Sequence, residues 1–379
     1  MADSGGGSGG AGGSGEVGDA TEGTAEGSGT AEGGDQTEGG GAAGAGGRAE
    51  GGGTAGGGGR VGSGGAAEGG GTAGAGGAAG GGVGVGGRDA DGTASELRVE
   101  VFTGPESAFF STSALVYGPT EALLVDTQLT RSAGRELAEW VAGKARRLTA
   151  VLITHPHPDH YFGTEEILRL FPGTPVYAVL EVIDVILTTG LDQVALWRPV
   201  FGDDVTSRPV VPGPLPGDRL RVDGVGLGVL SMGQGDCAAS SVLHVPGADT
   251  VIAGDLVYNG THVWTAETTP QQRTDWRANL VRLRALGATR VIAGHRAPGQ
   301  DDDARRVLDF TAGYLREFDE QLARHPDDAA ALVAAVNETY AELTLPWLLE
   351  RGAEANTARH RAGKAAEAPS GGSSEPRSD

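Results

Sequence analysis

Cysteine is nearly missing from this chain: Cys237 is the only one. One thiol cannot build an internal disulfide framework, and a chain without one fits a reducing cytoplasm. Basic residues are scarce too. Lys and Arg total 29 against 50 Asp and Glu, giving a net charge of −21, and no basic stripe is present to hold nucleic-acid phosphates. No apolar run approaches the roughly 20 residues that span a bilayer, and no apolar segment behind a basic start marks a secretory signal. Before Leu97 there is no Leu, Ile or aromatic residue, and residues 1–92 hold 43 of the 69 glycines with 12 acids against 3 Arg. Such a stretch cannot bury enough apolar surface to offset backbone ordering, at ~1–2 kcal/mol per residue. Residues 1–95 are therefore expected to form a disordered tail, and 351–379, polar and small, a second one.

Residues 96–350 remain, enough for one sizeable core. Alternating or continuous apolar runs predict strands at 96–103, 109–117, 121–126, 148–153, 175–178, 241–245, 250–253 and 289–293. Asp223-Gly224 predicts a hairpin turn inside 219–230. Helices are expected over 132–145, 164–170, 180–188, 302–322 and 327–343. Another starts at Thr269-Pro270-Gln271-Gln272, where an N-cap, a first-turn proline and a box-type Gln coincide. The proline-rich stretch 192–219 reads as an insertion or lid-like loop followed by strands. Strand runs dominate each half, which favours two packed sheets with helices outside over one parallel sheet.

One stretch carries the chemistry. Thr154-His155-Pro156-His157-Pro158-Asp159-His160 packs three imidazoles and a carboxylate behind an apolar strand. These are the donors that hold Zn²⁺ or a similar first-row metal. His155 and His157 lie two apart in an extended segment, so their rings project to one side, and the two prolines restrict the backbone that carries them. One metal on His155 and His157 and another on Asp159 and His160 is the natural parsing, and two such ions can share an activated hydroxide. Two later strand ends offer further donors: Asp255, closing VIAGD, could bridge both ions, and His295, closing VIAGH, could complete the second site.

The motifs THPHPDH at 154–160, AGD at 253–255 and AGH at 293–295, with ALLVDT ahead of them, resemble the metallo-β-lactamase fold superfamily in order and spacing. The resemblance implies an α+β fold, a four-layer αββα sandwich, with a dinuclear site at one edge where the sheets meet. The superfamily places a further histidine of the first site in a G-H-T/S motif. Here Gln234 stands at that place, a weaker and harder ligand, with Asp236 and then Cys237 as substitutes if the loop is shifted. Asp126 could orient a ligand histidine, while His244 reads as a packed residue.

The expected function is metal-dependent hydrolysis, with two zinc ions, or iron or manganese, held by His155, His157, Asp159, His160, Gln234, Asp255 and His295. A metal-bound hydroxide would attack the carbonyl of a small-molecule ester, thioester or lactone. Asp159 would orient the nucleophile and take its proton. His262 and Tyr258, on a loop after Asp255, would touch substrate. His160 together with Asp255 resembles the glyoxalase II and lactonase-like branches more than true β-lactamases, and nothing basic follows to hold glutathione. Lactam hydrolysis is the lesser reading. A non-catalytic metal-binding protein on the same fold is the alternative from another class, motivated by Gln234 and the acidic tail. The last helices could pack on the sandwich, wall the pocket or form a homodimer contact.

Overall fold

Alternation along the strands builds two sheets whose inner faces meet. The first contains β1 (Arg98–Thr103), β2 (Thr112–Tyr117), β3 (Ala122–Val125), β4 (Leu148–Leu152), β5 (Val176–Ala178) and β6 (Gly213–Pro214), side by side in chain order. The second contains β7 (Arg219–Val222), β8 (Val225–Gly233), β9 (Ser240–Val245), β10 (Thr250–Asn259) and β11 (Arg290–Arg296), also in chain order. Parallel pairing occurs from β3 through β6 and between β10 and β11; the other neighbours are antiparallel. This computed structural model describes residues 97–144 and 147–367, so the tail expected at 1–95 lies outside the described residues.

Every second strand residue enters the layer between the sheets. Val116, Leu123, Val125 and Leu152 from one sheet meet Val222, Leu227, Leu243 and Ile292 from the other. Their neighbours point outward: Leu115, Leu124 and Val151 pack under α1 (Arg131–Ala142), α3 (Thr164–Leu170) and α4 (Leu180–Phe201). Val251, Ala253, Val257 and Val291 pack under α5 (Pro270–Arg284), α6 (Ala304–Arg324), α7 (Ala329–Tyr340) and α8 (Pro346–Glu367). A short helix, α2 (Pro158–Tyr161), lies between β4 and α3. The result is an αββα sandwich with a core in each of its three interlayer spaces. Among the described residues no helix is long and apolar enough to cross a membrane.

Local signals held where they were strong. The hairpin turns at Asp223 (φ 47°) and Gly224 (φ 79°), both left-handed as its tight turn requires. Helix α5 starts on a capping box between Thr269 and Gln272. Three expectations need correction. The helix expected to stop at 188 runs on to Phe201 and takes Pro199 within it, so the first third of the expected loop at 192–219 is helix. Val194 and Trp197 pack inward from that part, which stabilises turns that the prolines alone would not. The strand expected from 109 starts at Thr112, because Phe109 and Phe110 sit at φ 64° and 52° in a turn.

The third correction concerns the C-terminal stretch expected to be disordered, which is helical through Glu367. Its small residues let it approach the core: Ala353 and Thr357 are buried. Asn356 accepts from Arg273 Nη1 at 2.9 Å and donates to the Thr265 carbonyl at 2.9 Å. Arg273, itself fully buried, also reaches Asp319 on α6 at 2.7 Å. One guanidinium thus ties α5, α6 and α8 together, and no residue of 351–367 announces that partner by itself.

Candidate metal centre

The motif strands end at one edge of the sandwich. β4 runs into Thr154 and His155. The next turn places His157 at the N-cap of α2 with Pro158 at its first position, so Asp159 and His160 turn back toward the strand. β10 is bulged around Gly254 (φ 52°), and it pairs in parallel with β11, which carries His295. The motif glycines have a steric reason. A Cβ on Gly294 would stand 1.8 Å from Asp255 Oδ1, and one on Gly254 would stand 2.6 Å from Thr154 Oγ1.

Three overlapping groups of possible ligand atoms result: His155, His157, Asp236 and Asp255; Asp159, His160 and His295; and Asp126, His155 and His160. Within them His160 Nε2 lies 3.1 Å from Asp255 Oδ1 and 3.4 Å from Asp159 Oδ2. His295 Nε2 lies 2.9 Å from Asp255 Oδ2 and 3.3 Å from Asp159 Oδ2. His155 Nε2 is 3.8 Å from Asp255 Oδ2, and His157 Nδ1 is 2.9 Å from Asp236 Oδ2. Donors about 2.0–2.1 Å from one tetrahedral ion stand roughly 3.3 Å apart, and these spacings bracket that value.

Three imidazoles are held by one nitrogen and offer the other. His155 Nδ1 meets Thr154 Oγ1 at 2.9 Å, His160 Nδ1 meets Asp126 Oδ2 at 2.9 Å, and His295 Nδ1 donates to the Phe109 carbonyl at 2.7 Å. His157 is turned the other way, with Nε2 3.2 Å from Glu267 Oε1, too poorly aligned for a hydrogen bond, and Nδ1 facing Asp236. The opposite ends carry the fit to a metal. His155 Nε2, His160 Nε2, Asp236 Oδ1 and Asp255 Oδ1 are buried without a hydrogen-bond partner, an arrangement that costs free energy unless something charged satisfies it. Outer partners of this kind fix tautomer and ring orientation at metal sites.

The electrostatics of the cluster favour a cation. Burial opposes charge on His160 and His295, yet Asp255 and Asp159 outweigh it and hold both imidazoliums above the ordinary range. Burial likewise opposes charge on His157, and Asp236 and Glu267 more than reverse it. His155 goes the other way, lowered by burial and by His160. Burial would raise Asp255, but His295, His160 and His155 hold it well below the usual carboxylate range. Asp236 is pushed up to about 6, by burial first and despite His157.

The structure thus brings His155, His157, Asp159, His160, Asp255 and His295 together, and leaves Gln234 out. The Gln234 amide nitrogen donates to the carbonyls of Gly235 (2.9 Å) and Cys237 (3.1 Å), while Asp236 enters the cluster. The loop is shifted because Asn279 on α5 donates to the carbonyls of Met232 (2.8 Å) and Gln234 (2.7 Å), behind Gly233 at φ 71°. Cys237 is buried against Ser240 and Ala239, its thiol pushed up to about 12 by burial and Asp236, and it joins no group. Asp126 does face a histidine, and it also accepts from the Thr154 amide at 2.8 Å and hydroxyl at 2.7 Å.

Tyr258 is fully buried. Its hydroxyl donates to Asp255 Oδ2 at 2.8 Å and its ring stacks on His295, so it supports ligands rather than facing substrate. His262 is buried with Nδ1 3.0 Å from Tyr314 Oη, and its expected place against substrate is not found. Glu267 was missed from sequence. Its only local signal is the i, i+3 spacing to Trp264, whose indole donates to it at 3.2 Å.

The sequence profile of the metallo-beta-lactamase superfamily matches residues 107–295, and the chain belongs to that superfamily, whose members are in general metal-dependent hydrolases. Among curated proteins, a hydroxyacylglutathione hydrolase of Xylella fastidiosa is 30% identical over 158 residues, 39% of this chain and 46% of that protein. One from Francisella tularensis subsp. novicida is 34% identical over 67 residues, 18% of this chain and 25% of that protein. The chain thus spans from a quarter to about half the length of the curated relatives it matches. A metallo-beta-lactamase family protein from Thermus thermophilus superposes with a TM-score of 0.51 at 24% identity, over 71% of this chain and 94% of that one. A beta-lactamase domain protein from Burkholderia ambifaria gives 0.50 at 17%, over 72% and 87%. At these identities the likeness is one of fold.

Proposed function

We propose that the protein is a metal-dependent hydrolase of carbonyl esters, with thioesters or lactones as first candidates and lactams second. One observation carries the reading: four imidazoles turn one nitrogen each toward shared buried carboxylates, and three of them are held from outside by the other. His155, His157, Asp236 and Asp255 would hold one ion, and Asp159, His160, Asp255 and His295 the second, with zinc first among candidates for this donor set. When bound, such ions supply an ionised water near neutral pH and polarise the carbonyl. Asp159, at the cluster edge between His160 and His295, orients the attacking water and takes its proton. Thr154, Asp126 and the Phe109 carbonyl keep His155, His160 and His295 in the required tautomers, Glu267 places a negative charge beside His157, and Tyr258 donates to Asp255 and fixes its carboxylate plane. Partial similarity to hydroxyacylglutathione hydrolases supports thioesters ahead of lactams.

The test measures metal content of protein purified without added metal, then turnover on a thioester, a lactone and a chromogenic lactam. Two equivalents per chain and hydrolysis abolished by His160→Ala are expected. Metal without turnover on any of the three would leave a non-catalytic metal-binding protein, and the hydrolase reading would be abandoned.

A further inference from the structure

A group of aromatic rings beside the metal cluster has no part in the chemistry above. Phe109 packs on Trp197, Phe201 and Trp347, with ring centroids 5.5, 6.3 and 4.8 Å away, and Trp347 packs on Trp264 at 5.8 Å. These rings come from four segments: the turn before β2, the end of α4, the loop after β10 and the start of α8. They include three of the five tryptophans in the chain. Unlike Trp276, which is fully covered, all five are only partly buried and keep part of their surface in solvent. Aromatic rings gathered in this way beside a polar cluster can take up an apolar group.

The group is continuous with the cluster. Phe109 supplies the carbonyl that accepts from His295, and Trp264 donates to Glu267, which stands beside His157. Phe109 and Phe110 are both left-handed, a conformation that is uncommon for bulky residues and persists only where the surroundings impose it. Backbone bonds hold it, the Phe109 amide donating to the Glu106 carbonyl at 2.8 Å and the Phe110 amide to the Pro105 carbonyl at 3.1 Å, and Gln128 secures the exit of the turn by donating to the Ser111 carbonyl at 3.1 Å and to Ser113 Oγ at 2.8 Å. The strained turn sets the His295 partner and the central ring of the group at once. No Lys or Arg takes part in these contacts, and the one charged side chain joined to the rings is the half-exposed Glu267 carboxylate.

We propose that these rings bind the acyl part of the substrate, and that the substrate is an uncharged ester or thioester with an apolar acyl chain, Glu267 rejecting anionic tails. This rests on the hydrolase reading and names its substrate class. Hydrolysis itself consumes one water and releases the acid and the thiol or alcohol, with no further reactant.

The metal-loaded protein is assayed on acetyl, butyryl, hexanoyl and octanoyl thioesters of N-acetylcysteamine, and on the adipoyl thioester, which matches hexanoyl but ends in a carboxylate. kcat/KM should rise by about fourfold per methylene that reaches the rings, and hexanoyl should exceed adipoyl at least tenfold. Trp197→Ala should reduce octanoyl turnover at least tenfold more than acetyl turnover, with Trp197→Phe restoring most of the difference. Glu267→Gln should narrow the hexanoyl-to-adipoyl ratio. A flat chain-length series, or an adipoyl preference that E267Q leaves alone, overturns the proposal while leaving the hydrolase reading intact. Tryptophan fluorescence titrated with N-octylacetamide and N-butylacetamide reads the rings without turnover. Tighter octyl binding in a protein that cleaves no thioester, lactone or lactam would sustain the apolar site and sink the hydrolase reading. Equal or undetectable binding of the two amides overturns the site.

Discussion

The two halves of the candidate metal centre are built from different parts. Asp159 and His160 come from a four-residue helix, Asp255 from the bulged middle of β10 and His295 from the end of β11, and their donors interlock at 2.9 to 3.4 Å. The other half, His155 and His157, is closed by Asp236 from the loop between β8 and β9, with Glu267 behind it. The first half has two carboxylates among its donors; the second has Asp236 and shares Asp255. Replacing a neutral imidazole by a carboxylate adds a negative charge and a harder oxygen, which lowers the electrophilicity of an ion held there and widens its choice of metal. The half closed by a loop is therefore where the cluster differs from the histidine motif that the resemblance implies.

Removing what the halves share should have the largest effect. Asp255→Ala is expected to lower metal content below one equivalent per chain and hydrolysis by at least about 10³-fold, because three imidazoles lose their common acid; elemental analysis and kcat/KM read both. Separating the halves comes next. Asp236→Ala should lose about one equivalent and keep the other, while Gln234→Ala keeps both, since its amide only serves backbone carbonyls. A loss with Gln234→Ala equal to that with Asp236→Ala would return the ligand role to Gln234.

An outer partner should count for less. Asp126→Asn, which keeps the shape but weakens the hold on His160, is expected to lower metal affinity 10–100-fold, measured by competition with a coloured chelator. An ion on the His157 side should lose less, since Asp126 reaches that half only through the Thr154 hydroxyl that holds His155. The smallest effect belongs to a histidine outside both halves. Burial lowers His262 to about 4, below the roughly 6.5 of an unfolded chain, so the fold keeps it neutral. Its contribution is present above pH 6.5 and lost as pH falls from there toward 4. By pH 5 the loss is about 2 kcal/mol. Urea unfolding of chelated protein at pH 7 and 5 should show that extra loss in the wild type but not in His262→Gln. Parallel curves would mean that the ring is not buried neutral.

Legibility followed the same division. The motif residues at strand ends could be read because an apolar run and its terminal polar group are adjacent in sequence, and a strand delivers its end to a fixed edge of the sheet. Asp236 was ranked behind Gln234 because spacing alone puts Gln234 in the expected place. Asn279, 45 residues further on, pulls the loop by its carbonyls and decides otherwise. Nearness in sequence to Asp255 points Tyr258 and His262 toward substrate. Strand β10 instead continues through Tyr258 and aims its hydroxyl at the carboxylate, while α6 presents Tyr314 to His262. Phe109 read as strand because nothing local signals a left-handed aromatic residue.

The sequence by itself determined the two-sheet sandwich, the hairpin, the capped helix and six of the clustered donors, because each rests on periodicity, turn chemistry or a motif within a few residues. Tertiary structure alone decided which group closes the site beside His157, that α4 and α8 continue through stretches with no helical signal, and that five distant aromatic residues meet beside the metal cluster. Each of those depends on partners tens to hundreds of residues away, whose burial and hydrogen bonds outweigh local preference.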